Sequence, residues 1–242
     1  MINRSTKPGV CARHYQIMKN NSPEKKLLTL FSQFTGKKEG DFLIEKIKTD
    51  SITVRETEKG GELEVHFKGG DYTRFSKEIL EMDILNAVIN PLVRDIIGKK
   101  CDGIFIARVN GKFILCLVEL KKNINNSFEK VVKQIEGSYI KIAMLLNLLY
   151  DLQYIDLVVF IGGGLKKITD EPDIDYLEKI DVFRERGDNL ESKLKEFSQN
   201  KRVRMNFPYF LGDIIHQHFQ KRNIVVYHLE HGDTFEIQKV IN

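Results

Sequence analysis

Apolar residues change period several times along the chain, and each change marks an element. Ile52 and Val54 alternate with polar neighbours, as do Leu63, Val65 and Phe67, with Lys59-Gly60-Gly61 between them as a turn. Residues 51–75 therefore read as a hairpin or meander with one buried face. Residues 76–93 switch to helical spacing through Ile79, Leu80, Ile84, Leu85 and Val88, until Asn90-Pro91 interrupts it. The runs 102–109 (DGIFIARV) and 112–120 (KFILCLVEL) are strand-length and apolar on both faces. Asn110-Gly111 between them is the dipeptide that favours a two-residue hairpin loop, and a pair apolar on both faces belongs in the covered centre of a sheet.

A long helix follows. Asn126-x-x-Glu129 resembles a capping box, and Phe128, Val132, Ile135, Tyr139, Ile142, Leu146 and Leu149 form one buried stripe. Residues 155–161 read as a buried strand closed by a turn at Gly162-Gly163-Gly164. Beyond these lie a helix at 189–198, a strand at 202–207, a helix at about 209–220, and a terminal hairpin pairing 224–229 with 234–240 around His231-Gly232. Near the start, Ser22 and Pro23 are suited to cap and open a short helix at 23–34. Strand, strand, helix, strand at the centre, with helices and hairpins around them, predicts an α/β protein of the α+β kind with a mixed sheet.

Composition narrows the class. With 242 residues, 42% apolar and 30% charged, the chain suits a folded globular protein and excludes disorder, collagen and coiled coil. The first twenty residues lack the apolar stretch of a secretory signal. The most apolar stretch, 142–161, is broken by Asn147, Asp151, Gln153 and Asp156, so no membrane association and a cytoplasmic location are expected. Cys11, Cys101 and Cys116 contain no CxxC pair and read as reduced, packed thiols. Residues 1–40 hold eight basic against two acidic residues, a surplus of six within a whole-chain net charge of +4. That basic N-terminal extension is compatible with a nucleic-acid partner.

The central hairpin carries the candidate chemistry. With a two-residue loop, opposed residues have numbers adding to 221, so Asp102 faces Glu119 with Cβ atoms about 4.5–5.5 Å apart. Like charges opposed in an apolar hairpin are destabilising unless neutralised, and a divalent cation would neutralise them. Lys121 lies two residues beyond Glu119 and shares its face. Carboxylate oxygens suit Mg²⁺, with Mn²⁺ as a substitute, and Mg²⁺ often shares its shell with substrate phosphate.

Asp102, sixteen intervening residues, then Glu119-Leu120-Lys121, on antiparallel strands followed by a helix and another strand, resembles the PD-(D/E)xK nuclease superfamily. The resemblance covers about residues 76–164, and Cys101 stands where the motif's name places proline. It implies a restriction endonuclease-like core within a single nuclease domain at 41–242, with 165–242 a C-terminal elaboration. It also implies a metal-dependent endonuclease acting on nucleic acid, double-stranded DNA first. Host defence or restriction would be its role, with repair or recombination, or an inactive binding protein of the same fold, as alternatives. A homodimer is compatible with cutting both strands.

In the roles so implied, Asp102 and Glu119 hold the metal, Leu120 lends its backbone carbonyl, and Lys121 assists the attacking water. Glu81 or Glu78 supplies a further carboxylate from the preceding helix, while Gln134 and Tyr139 are looser matches on the following one. Lys122, Lys130, Lys133 and Lys141 are candidates for tracking a phosphate backbone, and Lys201, Arg202 and Arg204 form a second basic cluster. His216, His218, His228 and His231 read as surface or packing residues rather than a metal cluster, because HxH on a helix does not share a face.

Overall fold

The structure is a computed structural model that describes residues 44–56, 63–76, 100–147, 155–168, 190–210 and 222–240. Its elements are β1 (Ile44–Lys46), β2 (Ser51–Arg55), β3 (Glu64–Lys68), β4 (Asp71–Phe75), β5 (Gly103–Val109), β6 (Lys112–Lys121), α1 (Phe128–Asn147), β7 (Ile155–Gly163), α2 (Leu190–Asn200), β8 (Arg202–Phe207), β9 (Arg222–Leu229) and β10 (Thr234–Glu236). The helices expected at 23–34 and 76–93, and most of that at 209–220, lie outside the described residues. So do Glu78, Glu81, His216 and His218.

Seven strands form a mixed sheet in the order β1-β4-β5-β6-β7-β9-β8, and three form a second sheet in the order β10-β3-β2. Strands β6, β7 and β9 run parallel, while β4, β5 and β6 are antiparallel neighbours. This is an α+β protein with a large mixed sheet.

The period-two pattern of β6 explains the layering. Phe113, Leu115 and Leu117 join the core cluster that contains Phe128, Val132, Ile135 and Leu146 of α1 and Leu194 and Phe197 of α2. Ile114, Cys116, Val118 and Leu120 join a second cluster with Ile52, Val54, Val65 and Phe67 of the small sheet. Both helices thus cover one face of the large sheet, and the small sheet covers the other. Phe67 sits at the heart of the second cluster, with ring centroids 5.0 Å from Phe105 and 4.8 Å from Phe160.

The expected 221 register holds along the whole β5–β6 ladder, from Val109↔Lys112 to Gly103↔Val118. Strands β2 and β3 pair as expected, with Ile52 opposite Phe67 and Val54 opposite Val65. Strand β4 does not continue that meander. Gly69, at φ +82°, helps turn the chain away, and β4 pairs with β5 in the large sheet.

The terminal hairpin also needs correction. Strand β10 runs parallel to β3, with Phe235 opposite Phe67, and does not pair with β9. Residues Ile237–Val240 form a 3-10 turn. Phe235 gains an aromatic pocket this way, 4.9 Å from Phe160 and 5.3 Å from Tyr227. A further correction concerns the start of α1. A 3-10 turn, Asn125–Ser127, stands where the capping box was expected, and Asn126 N–H donates to Asn123 Oδ1 at 3.3 Å.

Candidate active site

Asp102, Glu119 and Lys121 meet at the end of the central hairpin. Phase along β6 puts Glu119 and Lys121 on the α1 side, in step with Leu115 and Leu117. Glu119 is fully enclosed, and Lys121 is 8% exposed. Lys121 Nζ lies 2.8 Å from Glu119 Oε1, a charge-assisted contact sealed from solvent.

Asp102 stands one residue before β5, beyond the last ladder pair. Its Oδ2 accepts from Leu120 N–H at 2.9 Å, so the side chain extends the hairpin by imitating a strand partner. Since a strand residue's N–H and C=O leave on the same edge, the Leu120 carbonyl also points to the Asp102 side.

A third carboxylate joins them that sequence reasoning did not single out. Glu56 Oε1 lies 3.6 Å from Lys121 Nζ, from the residue that follows β2. The signal was present, because Glu56 continues the buried phase of Ile52 and Val54, and a carboxylate on an apolar face needs a partner. Burial works against the Lys121 ammonium, but Glu119, Asp102 and Glu56 together outweigh it and hold its pKa above the usual lysine value. Lys121 is therefore a cation at neutral pH, suited to orient an anion or a water rather than to accept a proton.

Helix α1 holds the other side of the site. Gln134 Nε2 donates to the Lys100 carbonyl at 3.0 Å, and Ser138 Oγ accepts from Cys101 N–H at 2.8 Å. Four residues apart on one helix face, they clamp the two residues before Asp102. Gln134 thus meets the backbone two residues before Asp102. Ser138 was missed, although a polar side chain one turn from Gln134 inside an apolar stripe was a legible clue.

The lysines divide. Lys122 and Lys130 are exposed, and Lys133 pairs with Glu129 at 2.6 Å and lies 5.1 Å from the Phe210 ring centroid. Lys141 is 2% exposed, and burial together with nearby Lys100 lowers its pKa. It does not share the solvent-facing position expected of a phosphate-tracking row, because residues 138–143 of α1 are all buried. Tyr139 is core, its ring 5.3 Å from that of Phe207.

Strand β7 runs two residues into the glycine triplet and ends at Gly163. Gly162 and Gly163 belong to β7 and pair with Leu120 and Lys121. A Cβ at Gly163, whose φ is +123°, would overlap the Lys121 carbonyl oxygen. Glycine there lets β7 run tight against the strand that carries the site. His228 braces the same place, its Nε2 2.8 Å from the Gly163 carbonyl, and burial lowers its pKa. His231 is elsewhere, accepting from Glu64 N–H at 3.2 Å.

No known protein family matches the chain, and no curated protein or solved structure does either. Among the described residues, no group of three or more His, Cys, Asp or Glu side chains is gathered closely enough to hold a metal by itself. Nor is any helix there long and apolar enough to cross a membrane. Glu119, Asp102 and Glu56 all act on the Lys121 ammonium, and the Leu120 carbonyl faces the Asp102 side.

Proposed function

We propose that this protein is a metal-dependent nuclease of the PD-(D/E)xK kind, with a restriction endonuclease-like core, hydrolysing phosphodiester bonds in nucleic acid, DNA first. The observation that carries the reading is the enclosed Glu119–Lys121 pair at the end of a hairpin whose register brings Asp102 alongside. Asp102, Glu119 and the Leu120 carbonyl would hold Mg²⁺ or Mn²⁺, with water and substrate oxygens completing the shell. When bound, the ion would lower the pKa of a coordinated water and offset charge on the phosphoryl group.

The protein's own groups do the rest. Lys121, kept cationic by its carboxylate neighbours, orients the attacking water and faces the charge that builds on phosphorus. Glu56 reaches the Lys121 ammonium from the residue that follows β2. Gln134 and Ser138 fix the backbone that delivers Asp102. Exposed Lys122 and Lys130 are available to phosphates of the strand.

The test is incubation of purified protein with linear and circular DNA, and with RNA, with and without Mg²⁺. Cleavage should require the metal, stop in EDTA, and fall on the order of 10²–10³-fold in Glu119→Gln and in Lys121→Met. Assays run below the melting temperature of each variant. Cleavage by Glu119→Gln at the wild-type rate would refute the proposal.

One observation favours a second reading, a nucleic-acid-binding protein without activity. Lys121 already neutralises part of the carboxylate cluster. Under that reading, DNA binding persists while Mn²⁺ titration by calorimetry gives no heat.

A further inference from the structure

Beside Asp102 lies a cleft of about 400 Å³ that the chemistry above does not use. Thr53 and Arg55 of β2 form one wall, and Arg74, Phe75 and Ser76 form the other, with Asp102 at its end. It thus opens where the small sheet parts from β4 and β5. The volume is at the low end of ligand pockets, enough for a nucleotide-sized group and far too small for a duplex.

Its charge has an anion-binding character. Arg74 Nη2 donates to the Thr53 carbonyl at 2.6 Å, which fixes the guanidinium between the two sheets. That acceptor is neutral, while Glu45 stands opposite Arg74 on β1 and Asp102 lies at the end of the cleft. A planar guanidinium held in advance matches phosphate oxygens in pairs at little further entropic cost. Arg55 stands at the exposed rim, where its Nε is engaged by Glu64 at 2.8 Å. Ser76 has an enclosed hydroxyl with no hydrogen-bond partner among the described residues, a donor that a bound anion could satisfy. Phe75 and Ile104 also border the cleft, but their side chains are buried in the core cluster on the α1 face of the large sheet. A guanidinium held in advance and a spare hydroxyl are what the phosphate of one nucleotide requires, in a volume that admits a single strand and no duplex.

We propose that this cleft binds one nucleotide of an unpaired stretch of the substrate strand, with Arg74 on its phosphate, next to the phosphodiester held at Asp102. The inference rests on the nuclease reading for its substrate class, but its test is independent of cleavage. A short fluorescein-labelled oligothymidylate is titrated with full-length protein in EDTA and followed by anisotropy.

Arg74→Gln keeps a donor for Thr53 and removes the charge. It is expected to weaken binding at least about tenfold near 0.1 M salt, and to reduce the slope of log K against log salt by about 0.7–1. The same sequence as a blunt duplex should bind less tightly. Should Arg74→Gln fail to fold, Arg55→Ala at the exposed rim carries the test, with a severalfold loss expected. Wild-type affinity and salt slope in the folded variant overturn the cleft assignment. If the wild type shows no metal-dependent cleavage while the Arg74 effect stands, the nuclease reading fails and the cleft remains. If cleavage is metal-dependent but Arg74→Gln binds normally, only the cleft proposal fails.

Discussion

Lys121 has its amine within 2.8 Å of Glu119 and 3.6 Å of Glu56, in a place nearly closed to water. Removing one partner of such a pair leaves the other buried and uncompensated. Lys121→Met should therefore destabilise the fold by about 3 kcal/mol, measured by urea unfolding at neutral pH. The pH dependence has a definite sign. The folded-state pKa of Lys121 is raised above 10.5, so its contribution is fully present below pH 10.5 and is lost as pH rises through the higher folded value. The stability gap between wild type and Lys121→Met should hold steady across neutral pH and shrink only in strong alkali; a gap that closes near neutrality would contradict the assignment. At this scale the sequence was informative about Asp102, Glu119 and Lys121, because a hairpin loop fixes register and register fixes neighbours. Glu56 was reachable by the same alternation, but only the approach of β2 to the end of β6 identifies what it meets.

Among the elements, β7 does more than close the parallel sheet. Gly163 takes a left-handed backbone against the Lys121 carbonyl, and His228 holds its own carbonyl from the next strand. Gly163→Ala must both open the strand pair and adopt a strained φ, so a loss of at least about 2 kcal/mol is expected in chemical unfolding. Activity should fall too, since the displaced backbone is that of Lys121. Helix α1 has an equivalent part on the other side through Gln134 and Ser138. The elements themselves were mostly legible. The Asn110-Gly111 hairpin, the α1 stripe and β8 appear where periodicity put them, because their patterns depend on local geometry and one buried face. Strand β10 was placed with the wrong partner, and β4 leaves the hairpin or meander expected over 51–75. Each joins the sheet where its aromatic residue finds a pocket, Tyr72 against Phe105 and Phe235 against Phe160.

At the scale of the molecule, the two sheets and two helices of the described residues meet around β5 and β6, so the candidate site sits on the most enclosed part of them. A ligand that binds only the folded state stabilises all of it. If the carboxylates hold a divalent cation, Mn²⁺ or Mg²⁺ at about one hundred times its Kd should add about 2.7 kcal/mol, seen as a rise in Tm that EDTA reverses. Glu119→Gln should abolish that rise. A wild-type Tm indifferent to metal would count against the metal centre while leaving the fold untouched. The sequence by itself determined the mixed sheet, the central hairpin with its register, and the Asp, Glu and Lys at its end, since alternation, turn chemistry and loop length act over a few residues. Only the tertiary structure decided that Glu56 and Ser138 belong to the site, that Lys141 is buried, and that an arginine-bearing cleft opens beside Asp102. Those features depend on which face of one element packs against another far away in the chain, and that choice is made by the burial of the whole core at once.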